Sequence, residues 1–377
     1  MSKPLSKPNP LASDVAHPMI DPRQVASQFQ LADPIVDVPP LGRGLINDTF
    51  LIMTTGGEAS WAVLQRINQQ VFPEPRLIME NLRVLLDHVG AGADDGDGFR
   101  LPTIVSSETG EDFHWDGQGN FWRALGFIHG THSFDTLSDR AQAEEVGRTL
   151  GRFHALVAEL DTARLHDTLP GFHITPHYLR RLEQILAQRP LDDDPELNYC
   201  LRFIADRKEW AGVLEEAKQS GLLTIRPIHG DPKLNNILFH QETRRAVSLV
   251  DLDTVKPGLI HYDIGDCLRS CCHRGGETSA SVEDVLFDVD IAQAILGRYF
   301  QETRRFLTRH DYAYLYDAIR LIPFELGVRF LTDHLEGDRY FKVGQAGENL
   351  RRAVRQLRLS ESVERQEQPI RRLLSES

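Results

Sequence analysis

The chain has 377 residues, 41% of them hydrophobic, with 55 acidic against 42 basic side chains and a formal charge of −13. That length can bury a large core and support two lobes, whereas the acidic balance excludes a nucleic-acid partner, which needs a basic surface to neutralise phosphates. No apolar run reaches membrane-spanning length and no basic N-terminal region precedes an apolar segment, so a cytoplasmic protein with no obligate protein partner is expected.

Residues 1–24 mix Pro, Ser, Lys and Asp and are poor in core formers, the pattern of a flexible tail. A first lobe is expected over 25–127 and a larger, mainly helical one over 128–377. Apolar stretches at 29–31, 41–52 and 59–64 read as two or three antiparallel strands, with a glycine turn between Leu41 and Phe50. Gly42 and Gly44 let backbone approach a phosphate, although an ordinary hairpin turn asks for the same residues. A helix is predicted over 77–88, because Ile78, Leu82, Leu85 and Leu86 fall on one face. Glu80 on that helix either pairs with a base on the preceding strand or stays solvated.

The segment 90–98 reads as a surface loop and lacks the terminal Glu of a calcium site. Strands are expected at 101–106, 111–115 and 121–127, the last entering a hinge at 126–133 where backbone groups can bond an adenine. Helical periodicity then covers 146–160, 179–186, 196–217, 282–300, 312–331 and 347–359. The Arg-rich end admits three readings: a packed helix with a solvated basic face, a partner-binding tail, or a membrane-surface helix. The interspersed Glu361, Glu364 and Glu367 favour the first. Cys200, Cys267, Cys271 and Cys272 follow no disulfide or zinc spacing and read as reduced, packed thiols.

The chemistry concentrates in Ile228-His229-Gly230-Asp231-Pro232-Lys233-Leu234-Asn235-Asn236-Ile237-Leu238, followed by Leu249-Val250-Asp251-Leu252-Asp253. Moving a γ-phosphoryl group requires a carboxylate beside the attacking hydroxyl and oxygen ligands that hold Mg²⁺ against the phosphates. The kinase loop H-R-D-x-x-x-x-N provides the first carboxylate and one metal ligand, and a later Asp provides the other. Asp231 is accordingly the candidate base, with Asn236 and Asp251 as candidate Mg²⁺ ligands. Singly, each of these residues also suits a turn or a cap. A dinuclear phosphoesterase is the competing chemistry, with His261 and His273 as available ligands, but no D-x-H lies upstream.

These motifs resemble those of the aminoglycoside phosphotransferase and choline kinase superfamily. Within it the chain is most similar to the bacterial N-acetylhexosamine 1-kinases. The likeness runs from about Leu41 to Leu357, through Gly42-Arg43-Gly44-Leu45-Ile46-Asn47, Val63-Leu64-Gln65-Arg66-Ile67-Asn68, the catalytic loop, Asp263-Ile264-Gly265-Asp266 and Arg329-Phe330-Leu331 with Tyr340-Phe341. The resemblance implies an α+β, bilobal protein-kinase-like fold with an antiparallel sheet in the small N-terminal lobe. It also implies transfer from ATP with Mg²⁺ to a sugar hydroxyl, and a nucleotide held by Gly42, Gly44, Asn47, Gln65 and Asn236. Arg329 and Tyr340 match the sugar-contacting pair, the competing reading being an ion pair of Arg329 with Asp333. Asp263 and Asp266 are expected to brace the catalytic segment.

The strand position that carries a phosphate-binding Lys in many kinases holds Gln65. The compared hexosamine kinases have His where this chain has Leu45 and an aromatic where it has Ser270, both expected near the sugar. Changes at two polar contacts can redirect specificity by orders of magnitude. Choline, ethanolamine, homoserine, methylthioribose, a polyol or an aminoglycoside are therefore alternative acceptors, and a catalytically silent metabolite-binding protein is the alternative outside enzymology.

Overall fold

The computed structural model describes residues 21–42, 46–90, 98–188, 193–273 and 285–375. Residues 1–20 of the tail expected over 1–24, Gly44, Leu45 and most of the acidic loop lie outside them, while residues 22–24 of that expected tail are helical.

The first half of the fold is a twisted antiparallel sheet between two helices. Helix α1 (Pro22–Ala26) starts at Asp21, whose carboxylate accepts the Arg23 amide. It is followed by β1 (Ile35–Asp37), β2 (Asp48–Thr54), β3 (Ala62–Arg66), α2 (Pro75–Val89), β4 (Ile104–Val105), β5 (His114–Trp115) and β6 (Phe121–Gly126). Strand order is β1-β2-β3-β6-β4, with β5 also on β6. Residues Phe121 to Leu125 of β6 are all buried, because the strand is covered on both faces. One face packs Ile52, Leu64 and Trp122 against Val25 and Phe29; the other joins the main core through α2. Phe29 makes an isolated bridge to Ser107 instead of a strand, since α1 turns the chain immediately before it.

Beyond Gly126 the chain is mostly helical. Short strands β7 (Thr131–His132), β8 (Arg226–Ile228), β9 (Ile237–His240), β10 (Ala246–Leu249) and β11 (Lys256–Gly258) form two small sheets, β10-β9-β7 and β11-β8. The helices are α3 (Arg140–Val157), α4 (Thr175–Leu186), α5 (Pro195–Ala205), α6 (Val213–Gln219), α7 (Ile260–Cys271), α8 (Val289–Thr303), α9 (Arg309–Ala313), α10 (Leu315–Glu336), α11 (Glu348–Arg365) and α12 (Glu367–Ser375).

The helices predicted over 196–217 and 282–300 depart from the observed ones, and the one over 312–331 is split at Tyr314. The periodicity at 196–217 breaks after Ala205 because Arg207 turns to Glu364 at 2.8 Å and Trp210 packs on Phe324 and under Arg320. Tertiary contacts there outweigh local pattern. The helix expected from 282 begins at Val289, where the Asp288 carboxylate caps the amides of Asp290 and Ile291. Of the C-terminal Arg residues, Arg365 pairs with Glu361 and Arg371 with Glu367, each within its own helix. All four cysteines are buried and unbridged.

Candidate active site

The catalytic segment is positioned by one buried carboxylate. Asp263, in the first turn of α7, accepts the amides of His229 at 2.7 Å and Gly230 at 2.8 Å, and bonds His154 Nε2 of α3 at 2.8 Å. Burial alone would raise its pKa, but His154 and the amides hold it below the ordinary carboxylate value. The His229 imidazole takes the Asp231 amide on Nδ1 at 3.2 Å and donates from Nε2 to the Val250 carbonyl at 3.1 Å. That is the neutral ring, in keeping with the downward push of burial on its pKa. Gly230 has φ +87°, and a Cβ there would lie 2.7 Å from the Thr254 carbonyl, so the loop is pressed against the turn after Asp251.

His173 supports the loop from the other side. Its Nε2 donates to the Gly230 carbonyl at 2.8 Å and its Nδ1 to Glu325 of α10 at 3.1 Å. Both partners accept, so the geometry selects the imidazolium. Burial opposes that charge, but Glu325 outweighs it and the pKa is raised.

Asn236 Nδ2 donates to the Asp231 carbonyl at 2.8 Å and to its carboxylate at 3.2 Å. The Lys233 ammonium bonds the same carboxylate. The Asn236 carbonyl accepts the Val250 amide at 2.8 Å, which fixes Asn236 against the entry to Asp251. Asp251 itself has φ +67°, a left-handed conformation uncommon for a side-chain-bearing residue.

Among the described residues, no donor bonds the Asp251 carboxylate or the Asn236 side-chain oxygen. Burial, then the Asp253 charge, push the Asp251 carboxyl up to about 6, against Lys233 and Arg123. Two such oxygens fit Mg²⁺, which takes one or two protein ligands and completes its shell from phosphates and water. Among the described residues no group of three or more His, Cys, Asp or Glu is placed to hold a metal ion.

The residues expected to hold a nucleotide fall into a network that the sequence did not suggest. Asp253 accepts Asn47 Nδ2 at 2.7 Å and pairs with Arg123 of β6. Arg123 donates to Gln65 Oε1 from Nε at 3.0 Å and Nη2 at 2.7 Å, and Gln65 reaches Thr49. The Asn47 side-chain oxygen accepts the Asn68 amide at 2.9 Å. Asn47 and Gln65 are thus engaged with protein groups, and Gly42 holds a turn at φ +74°. Helix α2 is anchored through Asn81, whose amide spans the Val255 and His166 carbonyls at 2.8 and 2.9 Å. Glu80 pairs with His166 at the surface, 3.0 Å apart, instead of with the strand. A lone Arg within the apolar run 121–125 was the available signal for Arg123.

In the helical lobe, Arg329 of α10 lies 4.9 Å from the Phe172 ring, 5.2 Å from Tyr178, 5.8 Å from Tyr340 and 5.5 Å from Phe341. It makes no pair with Asp333, which instead accepts the amides of Arg339, Tyr340 and Phe341 and the Asn349 side chain at 2.8–2.9 Å. Ser270 is buried and accepts the Leu234 amide at 3.1 Å, a brace on the catalytic loop. Asp266 pairs with Arg269 within α7.

A sheet lobe facing a helical lobe, with a braced H-x-D-x-x-x-x-N loop ahead of a strained Asp, defines a kinase-like phosphotransferase. Residues 37–306 match the phosphotransferase enzyme family, and the chain belongs to that family. Solved structures share its fold at low identity. An aminoglycoside phosphotransferase from Alicyclobacillus acidocaldarius is 17% identical, with 92% of this chain and 96% of that one aligned and a TM-score of 0.57. A microcompartment-associated aminopropanol kinase is 16% identical over 93% and 98% of the two chains, with a TM-score of 0.60. A spectinomycin phosphotransferase, solved with ADP and spectinomycin, is 11% identical over 92% and 99%, with a TM-score of 0.58. Among the described residues no helix is long and apolar enough to cross a membrane.

Proposed function

We propose that this phosphotransferase is an ATP-dependent small-molecule kinase acting on a sugar hydroxyl, the anomeric hydroxyl of an N-acetylhexosamine or a related sugar. The reaction class is supported by the family and by Asp231, Asn236 and Asp251 on one braced loop and the strand end behind it. Asp231 orients the acceptor hydroxyl and takes its proton as that oxygen bonds the γ-phosphorus and the bond to the leaving ADP breaks, while Lys233 offsets the carboxylate charge. An anomeric hydroxyl is more acidic than an ordinary alcohol, which lowers the demand on that base. Asn236 and Asp251 would hold Mg²⁺, which when bound neutralises the phosphate oxygens. The loose transition state leaves most of the acceleration to positioning and charge.

The acceptor class rests on one observation: the Arg329 guanidinium sits among four aromatic rings with no carboxylate pair among the described residues. A cationic acceptor such as ethanolamine, choline or an aminoglycoside calls for uncommitted carboxylates beside its charge. Glu325 is committed to His173 and Thr175, Asp333 to loop amides, and Glu336 to Arg181. Directional donors from Arg329 and a tyrosine face instead suit the hydroxyl and acetamide oxygens of a sugar. Nucleotide consumption with Mg²⁺ across N-acetylhexosamines, hexoses, polyols, choline, ethanolamine, homoserine and methylthioribose tests this. A phosphatase-sensitive, non-reducing product from an N-acetylhexosamine supports it; turnover confined to the amines would overturn the acceptor assignment, and no transfer with any acceptor would favour the silent binding protein.

A further inference from the structure

Phosphate binding by kinases of this architecture usually draws on a lysine of the third strand, and here that position is Gln65. Its partner across the β3–β6 register is Arg123, which is 1% exposed. One edge of the Arg123 guanidinium, Nε and Nη2, is turned to Gln65 Oε1, and Nη2 also meets Asp253. Nη1 is buried with no partner among the described residues. A buried charged donor left unpaired is costly, and one resolution is a group supplied from outside the protein. Arg66, the neighbouring base on β3, pairs instead with Asp48 and stays 38% exposed.

From this geometry we infer that Arg123 is a phosphate-binding residue, its Nη1 donating to a non-transferred phosphate oxygen of the nucleotide in place of the missing lysine. Gln65 and Asp253 are the positioning residues that hold the guanidinium fork, and Asn47 fixes Asp253 in turn. The inference rests on the nucleotide-kinase reading above. A guanidinium delivers two directional donors where an ammonium delivers a point charge, so this wall of the cleft is preset before nucleotide enters.

Calorimetric titration of the full chain with ADP and with adenosine, in Mg²⁺, tests the inference without relying on turnover. Removing Arg123 alone strands Asp253 without its counter-ion, so the informative comparison is Asp253→Asn against the double variant Arg123→Gln/Asp253→Asn, with thermal melting alongside. Asp253→Asn keeps the guanidinium while removing one of its positioning partners, and its ADP affinity is the reference for the double variant. The double variant should lose a further ~10–100-fold in ADP affinity, the worth of a charge-assisted contact, with adenosine affinity unchanged. Arg123→Lys, which retains the charge, should fall between them. Equal ADP affinity in the single and double variants, or parallel losses of ADP and adenosine with a lowered melting temperature, would reduce Arg123 to a structural cross-link and overturn the inference. Failure of the wild-type chain to bind ADP would overturn the kinase reading instead.

Discussion

Asp333 accepts the backbone amide of Tyr340 at 2.8 Å, and with the amides of Arg339 and Phe341 it folds the segment after α10 into a tight anion nest. The carboxylate is 4% exposed. It places Tyr340 over Arg329 without touching Arg329 itself. Asp333→Ala strands several buried donors and should cost about 3 kcal/mol of stability. In the surviving fold the acceptor KM should rise about ten-fold with kcat less affected. An unchanged KM would show that Tyr340 needs no such support.

Asp231→Asn removes the proposed base but keeps a hydrogen-bonding side chain, and kcat should fall by roughly 10²–10⁴ with nucleotide affinity retained. Asp251→Ala should lower turnover by about 10³-fold or more and abolish the Mg²⁺ dependence of ADP binding. Near wild-type rates in Asp251→Ala would remove it from the metal site.

Arg329→Met preserves bulk within the cage of Phe172, Tyr178, Tyr340 and Phe341 while deleting the donors. The acceptor KM should increase by about 10–100-fold, and neutral sugars should lose more than amines in the same panel. A uniform loss across all acceptors would point to a packing role for Arg329.

His173 gives the fold a pH dependence of definite sign. Its folded pKa lies above the reference value of 6.5, so the stability it contributes is complete below that value and is lost as pH rises through the folded pKa. Chemical denaturation from pH 6 into the alkaline range should therefore show declining stability in the wild type and a flatter profile in His173→Gln. Below neutrality the variant should be about 3 kcal/mol less stable, since Glu325 is left buried without its partner.

At the crossing of α3 and α8, a Cβ on Gly147 would stand 1.9 Å from the Ile295 carbonyl. Backbone cannot yield as a side-chain tip does. Gly147→Ala should destabilise the protein by about 3 kcal/mol, read as a lower denaturation midpoint, although alanine is the better helix former. A neutral outcome would mean that the two helices slide apart without cost.

The sequence by itself determined the class of protein, a kinase-like phosphotransferase, and the order of its motif. His229, Asp231, Asn236 and Asp251 are close along the chain, and one loop with the strand after it is a local structure whose order and spacing can be read directly. The amphipathic helix α2 and the buried strand β6 were legible for the same reason, as periodicity and apolar runs. Only the tertiary structure decided what surrounds that loop. Asp263 and His173 reach it from α7 and from the turn before α4, and Arg123 meets Asp253 across 130 positions of sequence. Asp333 looked like an i,i+4 partner for Arg329, but three backbone amides arriving from beyond α10 compete for it and win. Such choices among donors follow from which chain segments are brought within about 3 Å of each other, and no spacing along a single sequence contains that distance.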